Sequence, residues 1–160
     1  MKLKKSESLA LVKLCCRALE EKKVEDLRVM DVSEQSSITD FLILATGTSS
    51  PHLRALRIEV EKALDAAKAR IVGMEIPQDS GWMVIDAFDV MVHLFTADQR
   101  ERYALENLWK DAAEISVAKL LAMPKPRKSA PDERLVPKKL TNKVAPKSKA
   151  QNRKVSSVAK

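Results

Sequence analysis

Long apolar runs and readily paired cysteines are both missing from this 160-residue chain. No stretch approaches the roughly 18 to 20 apolar residues that a bilayer-spanning helix requires, and no secretory apolar core follows the basic residues 1–5. The two cysteines, Cys15 and Cys16, are adjacent, and on a helix their side chains point about 100° apart, so neither pairs easily with the other. These absences predict a cytoplasmic protein with two buried thiols in a reducing compartment.

Positive charge is concentrated at one end of the chain. Residues 1–122 carry 17 Lys and Arg against 20 Asp and Glu, a net charge of −3, whereas residues 123–160 carry 12 against 2, a net charge of +10. The second segment has five prolines and no aromatic residue, so it can bury too little apolar surface to offset chain entropy. We therefore predict a folded domain over residues 1–122 and a disordered, Lys/Pro-rich basic tail over residues 123–160.

Apolar residues at helical spacing predict three helices. The first runs from about residue 6 to 22, and the second begins at Pro51 with Ser50 as its N-cap. The third begins at Asp98, which we expect to act as the cap, and runs to about residue 121.

Five short apolar segments predict strands. The segment at residues 38–46 is nearly unbroken, as expected for a central strand with both faces covered. The others are residues 27–32, 71–75, 82–85 and 90–95. The element order predicts an α/β (α+β) fold with a mixed sheet of about five strands and helices packed against it.

Asp86 and Asp89 form the most enzyme-like pair in the chain. Two carboxylates near a strand end can hold a divalent cation, and Gly47–Ser49, between a strand and a helix, could hold a phosphate. Residues three apart in a strand project from opposite faces, so the two acids converge only if Ala87 and Phe88 form a turn. In that case the simpler interpretation is that both acids are hairpin residues, which is the one we favour.

Nucleophilic and histidine chemistry have little support. His93 lies in an apolar strand without a neighbouring Cys or His, which is more typical of a hydrogen-bonded structural residue than of a ligand or base. His52 has no visible partner, and the serines beside it are better explained as helix caps.

Trp82 is a candidate for a protein contact. It opens a strand directly after the polar loop at residues 77–81 and lies close to acids, an arrangement in which an aromatic side chain fills a pocket and charges steer the approach. The alternative is a partly buried tryptophan at the sheet edge. Trp109 shares the apolar face of its helix, which favours core packing.

The basic tail has the composition of a phosphate-binding segment. Its lysines and arginines have no aromatic neighbours for base stacking, so they predict salt-dependent, sequence-independent attraction to nucleic acid. A solvated tail is the alternative. The candidate contacts are Lys125, Arg127, Lys128, Lys138 and Lys139.

Several motifs, spread over four predicted elements, resemble those of the ribosomal silencing factor RsfS family, also called Iojap-like. The resemblance covers about residues 8–115 and leaves the tail outside. The motifs are DFLILATGTS at residues 40–49, Gly81-Trp82, Asp86, Asp89, Val92-His93 and RYALENLW at residues 102–109.

The resemblance implies a fold related to nucleotidyltransferases but without a working active site, and a tendency to form homodimers. It further implies binding to the fourteenth protein of the large ribosomal subunit, where the bound factor blocks joining of the small subunit when nutrients are short. No cofactor, metal, membrane or small-molecule substrate is implied. The alternatives are a large-subunit assembly factor that uses the same surface and a metal-dependent nucleotidyltransferase.

The expected docking residues are Trp82 as the apolar anchor, Glu75, Asp86 and Asp89 as the charges that meet a basic partner, and Phe88 beside them. Two positions depart from the family pattern: Ile76 stands where the family usually has glycine, and so does Phe88. Because glycine adopts left-handed backbone conformations most easily, Phe88 is expected to alter the local shape of this surface.

Overall fold

The computed structural model describes residues 2–122, so the predicted tail and its five candidate contacts lie outside the described residues. The described chain forms helices α1 to α5 and strands β1 to β6. In chain order they are α1 (Lys5–Glu21), β1 (Glu25–Asp31), β2 (Phe41–Gly47), α2 (Ser50–Ala66), β3 (Gly73–Glu75), β4 (Trp82–Asp86), β5 (Val90–Thr96), α3 (Ala97–Tyr103), α4 (Leu105–Leu108), β6 (Ala113–Ile115) and α5 (Val117–Ala122).

The strands form one mixed sheet in the order β3-β4-β5-β2-β1-β6. β2 and β5 pair in parallel, and the other neighbouring strands are antiparallel. Every residue of β2 is buried, which explains its continuous apolar run, since both faces of the strand are covered. The predicted central strand and the α/β class are therefore confirmed.

The main core lies between one face of the sheet and the helices α1 and α2. Leu53, Leu56 and Val60 of α2 pack with alternate residues of the strands, including Ile43 and Ile85. This alternation assigns the odd-numbered residues of β2 and β4 to the helix-covered face.

Both cysteines are buried in this core and free, as predicted. Burial raises the pKa of the Cys15 thiol to about 12 and also raises the pKa of Cys16. Both thiols therefore stay protonated at neutral pH, and neither is a candidate nucleophile.

The second face of the sheet has a smaller core. Met30, Leu42, Leu44 and Phe95 are buried there, and Leu105 and Trp109 from the region around α4 pack over them together with other partly buried residues. This cover lies mainly over β1 and β2, whereas residues of β4 and β5 on the same face remain partly exposed.

The prediction of one long helix from Asp98 to residue 121 was wrong. α3 ends at Ala104, which has a left-handed φ of 42°, and the following chain forms α4, the added edge strand β6 and α5. Trp109 packs on the second face whereas Leu120 packs in the main core, so one straight helix could not bury both. The sheet consequently has six strands instead of about five.

Two predicted helix caps were also misplaced by one or two residues. The N-cap of α2 is Ser49, whose hydroxyl accepts a hydrogen bond of 3.2 Å from the backbone N–H of His52. The N-cap of α3 is Thr96, and Asp98 lies in the first turn. At each helix start the sequence offers two suitable capping residues, Ser49 or Ser50 for α2 and Thr96 or Asp98 for α3. Only the backbone geometry shows which of the two is the N-cap.

Arg100 anchors α3 and α4 to the sheet. Its buried guanidinium donates from Nη1 to the carbonyl of Asp26 at 2.8 Å and to the hydroxyl of Thr46 at 3.0 Å. Its Nε donates to the carboxylate of Glu106 at 2.5 Å. Tyr103 lies three residues farther along the same helix.

Candidate docking face

One face of the neighbouring strands β3, β4 and β5 brings together three of the five predicted site residues. Trp82, Val84 and Asp86 alternate on β4, and the strand register places Glu75 of β3 opposite Val84 and Met91 of β5 opposite Asp86. Trp82 packs with the second core, so this face is the one that α1 and α2 leave uncovered. We call these five residues the docking face.

Trp82 is held in a fixed orientation by its neighbours. Its ring lies 5.2 Å from that of Phe95 and 4.7 Å from that of Tyr103, measured between centroids. Its Nε1–H donates to Nδ1 of His93 at 3.2 Å. The ring is partly buried, as the alternative interpretation expected, and its exposed part belongs to the docking face.

Tyr103 was not predicted as a site residue, although the structure places it next to Trp82. It is 49% exposed, and the guanidinium of Arg102 lies 6.0 Å from its ring centroid. An exposed aromatic ring packed on a second one is well suited to protein contact. Sequence spacing gave no signal for this pair, because the two residues are 21 positions apart.

His93 has the structural role that the sequence favoured. Its side chain is only 7% exposed, and burial lowers its pKa from the ordinary 6.5 to about 4. The imidazole is therefore neutral at pH 7, with Nδ1 as the acceptor for Trp82.

Ala87 and Phe88 form a turn between Asp86 and Asp89, which is the condition under which the two acids were expected to be hairpin residues. The backbone N–H of Ala87 donates to the carbonyl of Val90 at 2.9 Å, and that of Phe88 donates to Oδ1 of Asp86 at 2.9 Å. Phe88 adopts a left-handed φ of 70° and is 44% exposed. Phe88 thus adopts the left-handed backbone conformation that glycine takes up most easily.

Asp89 is not exposed for direct contact with a partner. Its side chain is only 2% exposed, and Oδ2 accepts a hydrogen bond of 2.8 Å from the backbone N–H of Leu3. This placement corrects the expectation that Asp89 presents a charge on the surface. Within residues 2–122, no group of three or more His, Cys, Asp or Glu side chains is arranged to hold a metal ion.

The polar groups of the segment Gly47–Ser49 are engaged by the protein itself. Ser49 caps α2, and Nδ1 of His52 accepts from the backbone N–H of Thr48 at 3.0 Å. On the other side of the ring, Nε2–H of His52 donates to the carbonyl of Lys22 at 2.7 Å. The segment thus has a structural explanation that needs no phosphate.

Acidic residues dominate the part of the chain that builds the docking face. Residues 71–108 contain seven Asp and Glu against two Lys and Arg, and one of the two bases, Arg100, is buried. Glu75 is exposed and Asp86 is partly exposed on the docking face itself. The face therefore combines aromatic and aliphatic surface with negative charge, which complements a basic partner.

Comparison with known proteins identifies relatives of one kind. A family model described as "Ribosomal silencing factor during starvation" matches residues 5–154. This match extends well into the tail, so the expectation that the likeness ends near residue 115 was wrong.

Three curated proteins illustrate the likeness. The chain is 30% identical over 103 residues to "Ribosomal silencing factor RsfS" of Bacillus subtilis, covering 64% of this chain and 87% of that protein. The protein of the same name from Chromobacterium violaceum is 37% identical over 97 residues, covering 61% and 80%. "Mitochondrial assembly of ribosomal large subunit protein 1" of Mus musculus is 29% identical over 94 residues, covering 57% and 41%.

Two solved structures share the fold. A crystal structure from Chromobacterium violaceum superposes with a TM-score of 0.61 at 32% identity and covers 73% of this chain and 93% of its own. One from Bacillus halodurans gives a TM-score of 0.59 at 29% identity and covers 66% and 96%. Separately, none of the helices in residues 2–122 has the length and apolarity needed to span a bilayer.

Glycine at position 88 should stabilise the turn relative to alanine. Phe88→Gly removes the Cβ that is strained at a positive φ, whereas Phe88→Ala truncates the ring but keeps that strain. We expect Phe88→Gly to exceed Phe88→Ala by about 1 kcal/mol in free energy of unfolding, measured by urea denaturation. Ala87 lacks a positive φ, so Ala87→Gly should instead destabilise the protein; equal stabilities for the two Phe88 variants would contradict a strained turn.

Burial of neutral His93 should make folding pH-dependent. Because its native pKa of about 4 lies below the ordinary 6.5, the unfolded chain binds more protons between these values, and stability falls as pH drops through this window. The full effect is on the order of 3 kcal/mol. Denaturation curves from pH 4 to 7.5 should show a steeper pH slope for the native protein than for His93→Gln, and identical slopes would refute the assignment.

Proposed function

Because the chain belongs to the ribosomal silencing factor (RsfS) family, we propose that it binds the large ribosomal subunit and blocks joining of the small subunit. Translation would then be repressed under nutrient limitation. The family assignment rests on the match over residues 5–154, and the aromatic, acidic docking face is the structural observation that supports a protein partner.

The proposed contact is the fourteenth protein of the large subunit. Ribosomal proteins are generally basic, so Glu75 and Asp86 would steer the approach, while Trp82, Val84 and the neighbouring Tyr103 would supply the apolar contact. Phe88 at the hairpin tip lies beside this face and extends it. Asp89 contributes through the shape of the hairpin, since its own carboxylate is buried.

The mechanism is steric occlusion without a catalysed reaction or a cofactor. A domain bound at the face where the subunits meet prevents joining simply by its volume. The relatives' names describe regulatory factors, in agreement with this mechanism. We further propose that the protein acts in the cytoplasm and that the family's tendency to form homodimers extends to it.

The tail would add contacts to ribosomal RNA. Its net charge of +10 favours phosphate binding through Lys125, Arg127, Lys128, Lys138 and Lys139. Removal of residues 123–160 should therefore reduce the salt dependence of large-subunit binding, and an unchanged salt slope would count against this role.

Large-subunit assembly is the second candidate function. The name of the Mus musculus relative, "Mitochondrial assembly of ribosomal large subunit protein 1", favours it. An assembly factor would use the same docking face on immature particles. Accumulation of immature large subunits in cells lacking the protein would support assembly, whereas normal maturation with unrestrained translation in starvation would support silencing.

Introducing positive charge on the docking face should weaken binding to the large subunit. Glu75→Lys combined with Val84→Lys places two positive charges where a basic partner approaches, so affinity should fall by at least about tenfold, equivalent to 1.4 kcal/mol. The measurement is co-sedimentation of the full-length protein with purified large subunits over a range of protein concentrations.

Asp65→Lys combined with Ile58→Lys provides a matched control. It also replaces one acid and one surface aliphatic residue with lysines, but on α2, in the helix layer on the other side of the sheet. The control should bind like the native protein. Equal losses for both double variants, or no loss for either, would contradict docking through this face.

A further inference from the structure

Two buried carboxylates join the N-terminal arm, residues Lys2–Lys4, to the turn of the β4–β5 hairpin and to the start of β2. Asp89 ends the hairpin turn and is 2% exposed, and Asp40 precedes β2 and is 5% exposed. The backbone N–H of Leu3 donates to Oδ2 of Asp89 at 2.8 Å, and Nζ of Lys2 lies 2.8 Å from Oδ1 of Asp40.

The two acids are also joined to each other through the backbone. The carbonyl of Asp89 accepts from the N–H groups of Asp40 and Phe41, each at 3.0 Å. The carbonyl of Asp40 in turn accepts from Val32 at 2.9 Å. The arm, the start of β2 and the end of the hairpin turn therefore meet at one point.

The arm supplies stabilising partners that a buried carboxylate requires. Removing an ionised group from water is costly unless hydrogen bonds and opposite charges replace the lost hydration. Leu3 provides the hydrogen bond to Asp89, and the positive charge of Lys2 interacts with both Asp40 and Asp89. Without the arm, Asp89 would be driven toward solvent, and the hairpin turn would move with it.

We infer that the N-terminal arm is a positioning element of the docking face, acting through Asp89 on the turn that presents Asp86 and Phe88. Only the two turn residues separate Asp89 from Asp86. The carboxylate of Asp86 accepts a hydrogen bond from the backbone N–H of Phe88. The inference rests on the proposed function, because it assigns the arm an effect on docking without a direct contact to the partner.

Backbone and side-chain roles of Leu3 can be separated by two substitutions. Leu3→Pro removes the N–H that donates to Asp89, whereas Leu3→Ala keeps this donor and truncates the exposed side chain. At the other end of the bond, Asp89→Ala removes the acceptor, whereas Asp89→Asn retains an oxygen that can accept from Leu3.

The first measurement is hydrogen exchange of the full-length protein without ribosomes. Leu3→Pro and Asp89→Ala should each accelerate exchange of the Ala87 and Phe88 amides by about tenfold or more, while Leu3→Ala and Asp89→Asn stay near the native rates. Amides of β1 should be unaffected in all four variants. Native protection of the hairpin in both disruptive variants, or a uniform loss over the whole domain, would overturn the inference.

Lys2→Ala and Lys5→Ala form a matched pair of controls. Each removes one lysine that lies 2.8 Å from an acid, but the partner of Lys5 is Asp31, at the end of β1. Faster hairpin exchange in Lys2→Ala alone supports the arm's role, and the same effect in both variants contradicts it.

The second measurement is affinity for purified large subunits. Leu3→Pro and Asp89→Ala should each weaken binding by about tenfold, whereas Asp89→Asn should bind with nearly the native affinity. Unchanged affinity despite a loosened hairpin would overturn the positioning role. If the native protein itself failed to bind large subunits, the proposed function would fall, whereas the exchange result would still show whether the arm holds the hairpin.

Discussion

Burial of β2 on both faces is the constraint on which the rest of the structure depends. The strand is apolar throughout, so the sheet needs cover on each side. The long helices α1 and α2, with α5, pack on one side, but the chain after β5 breaks at Ala104 and covers the other side mainly over β1 and β2. Trp82 and Val84 on β4 and Met91 on β5 are left partly exposed, and the docking face exists because this second layer is short.

Acidic residues serve two different purposes around that face. Glu75 and Asp86 reach solvent and give the face its charge, whereas Asp40 and Asp89 are buried and bind the N-terminal arm. The aromatic residues likewise divide into a buried ring and rings that reach the surface. Phe95 is fully buried, the partly buried ring of Trp82 packs on it, and the exposed ring of Tyr103 packs on Trp82.

Local patterns in the sequence were sufficient for much of this architecture. The buried central strand β2 and the hairpin turn at Ala87 and Phe88 follow from the apolar pattern and from turn chemistry, and alternation places Trp82 and Asp86 on one face of β4. Glu75 joins that face only through the pairing of β3 with β4. The break at Ala104 could not be predicted, because alanine favours helix and only packing on both faces of the sheet imposes its left-handed conformation. Burial of Asp89 and the Trp82–Tyr103 contact depend on residues far away in the chain, so spacing gave no sign of them.

Occlusion of the large subunit is tested most directly by measuring subunit joining itself. Purified large subunits would be saturated with the full-length protein, mixed with small subunits, and followed by light scattering as whole ribosomes form. The account predicts that joining is suppressed in proportion to the fraction of large subunits occupied. Undiminished joining by large subunits that demonstrably carry the protein would contradict it.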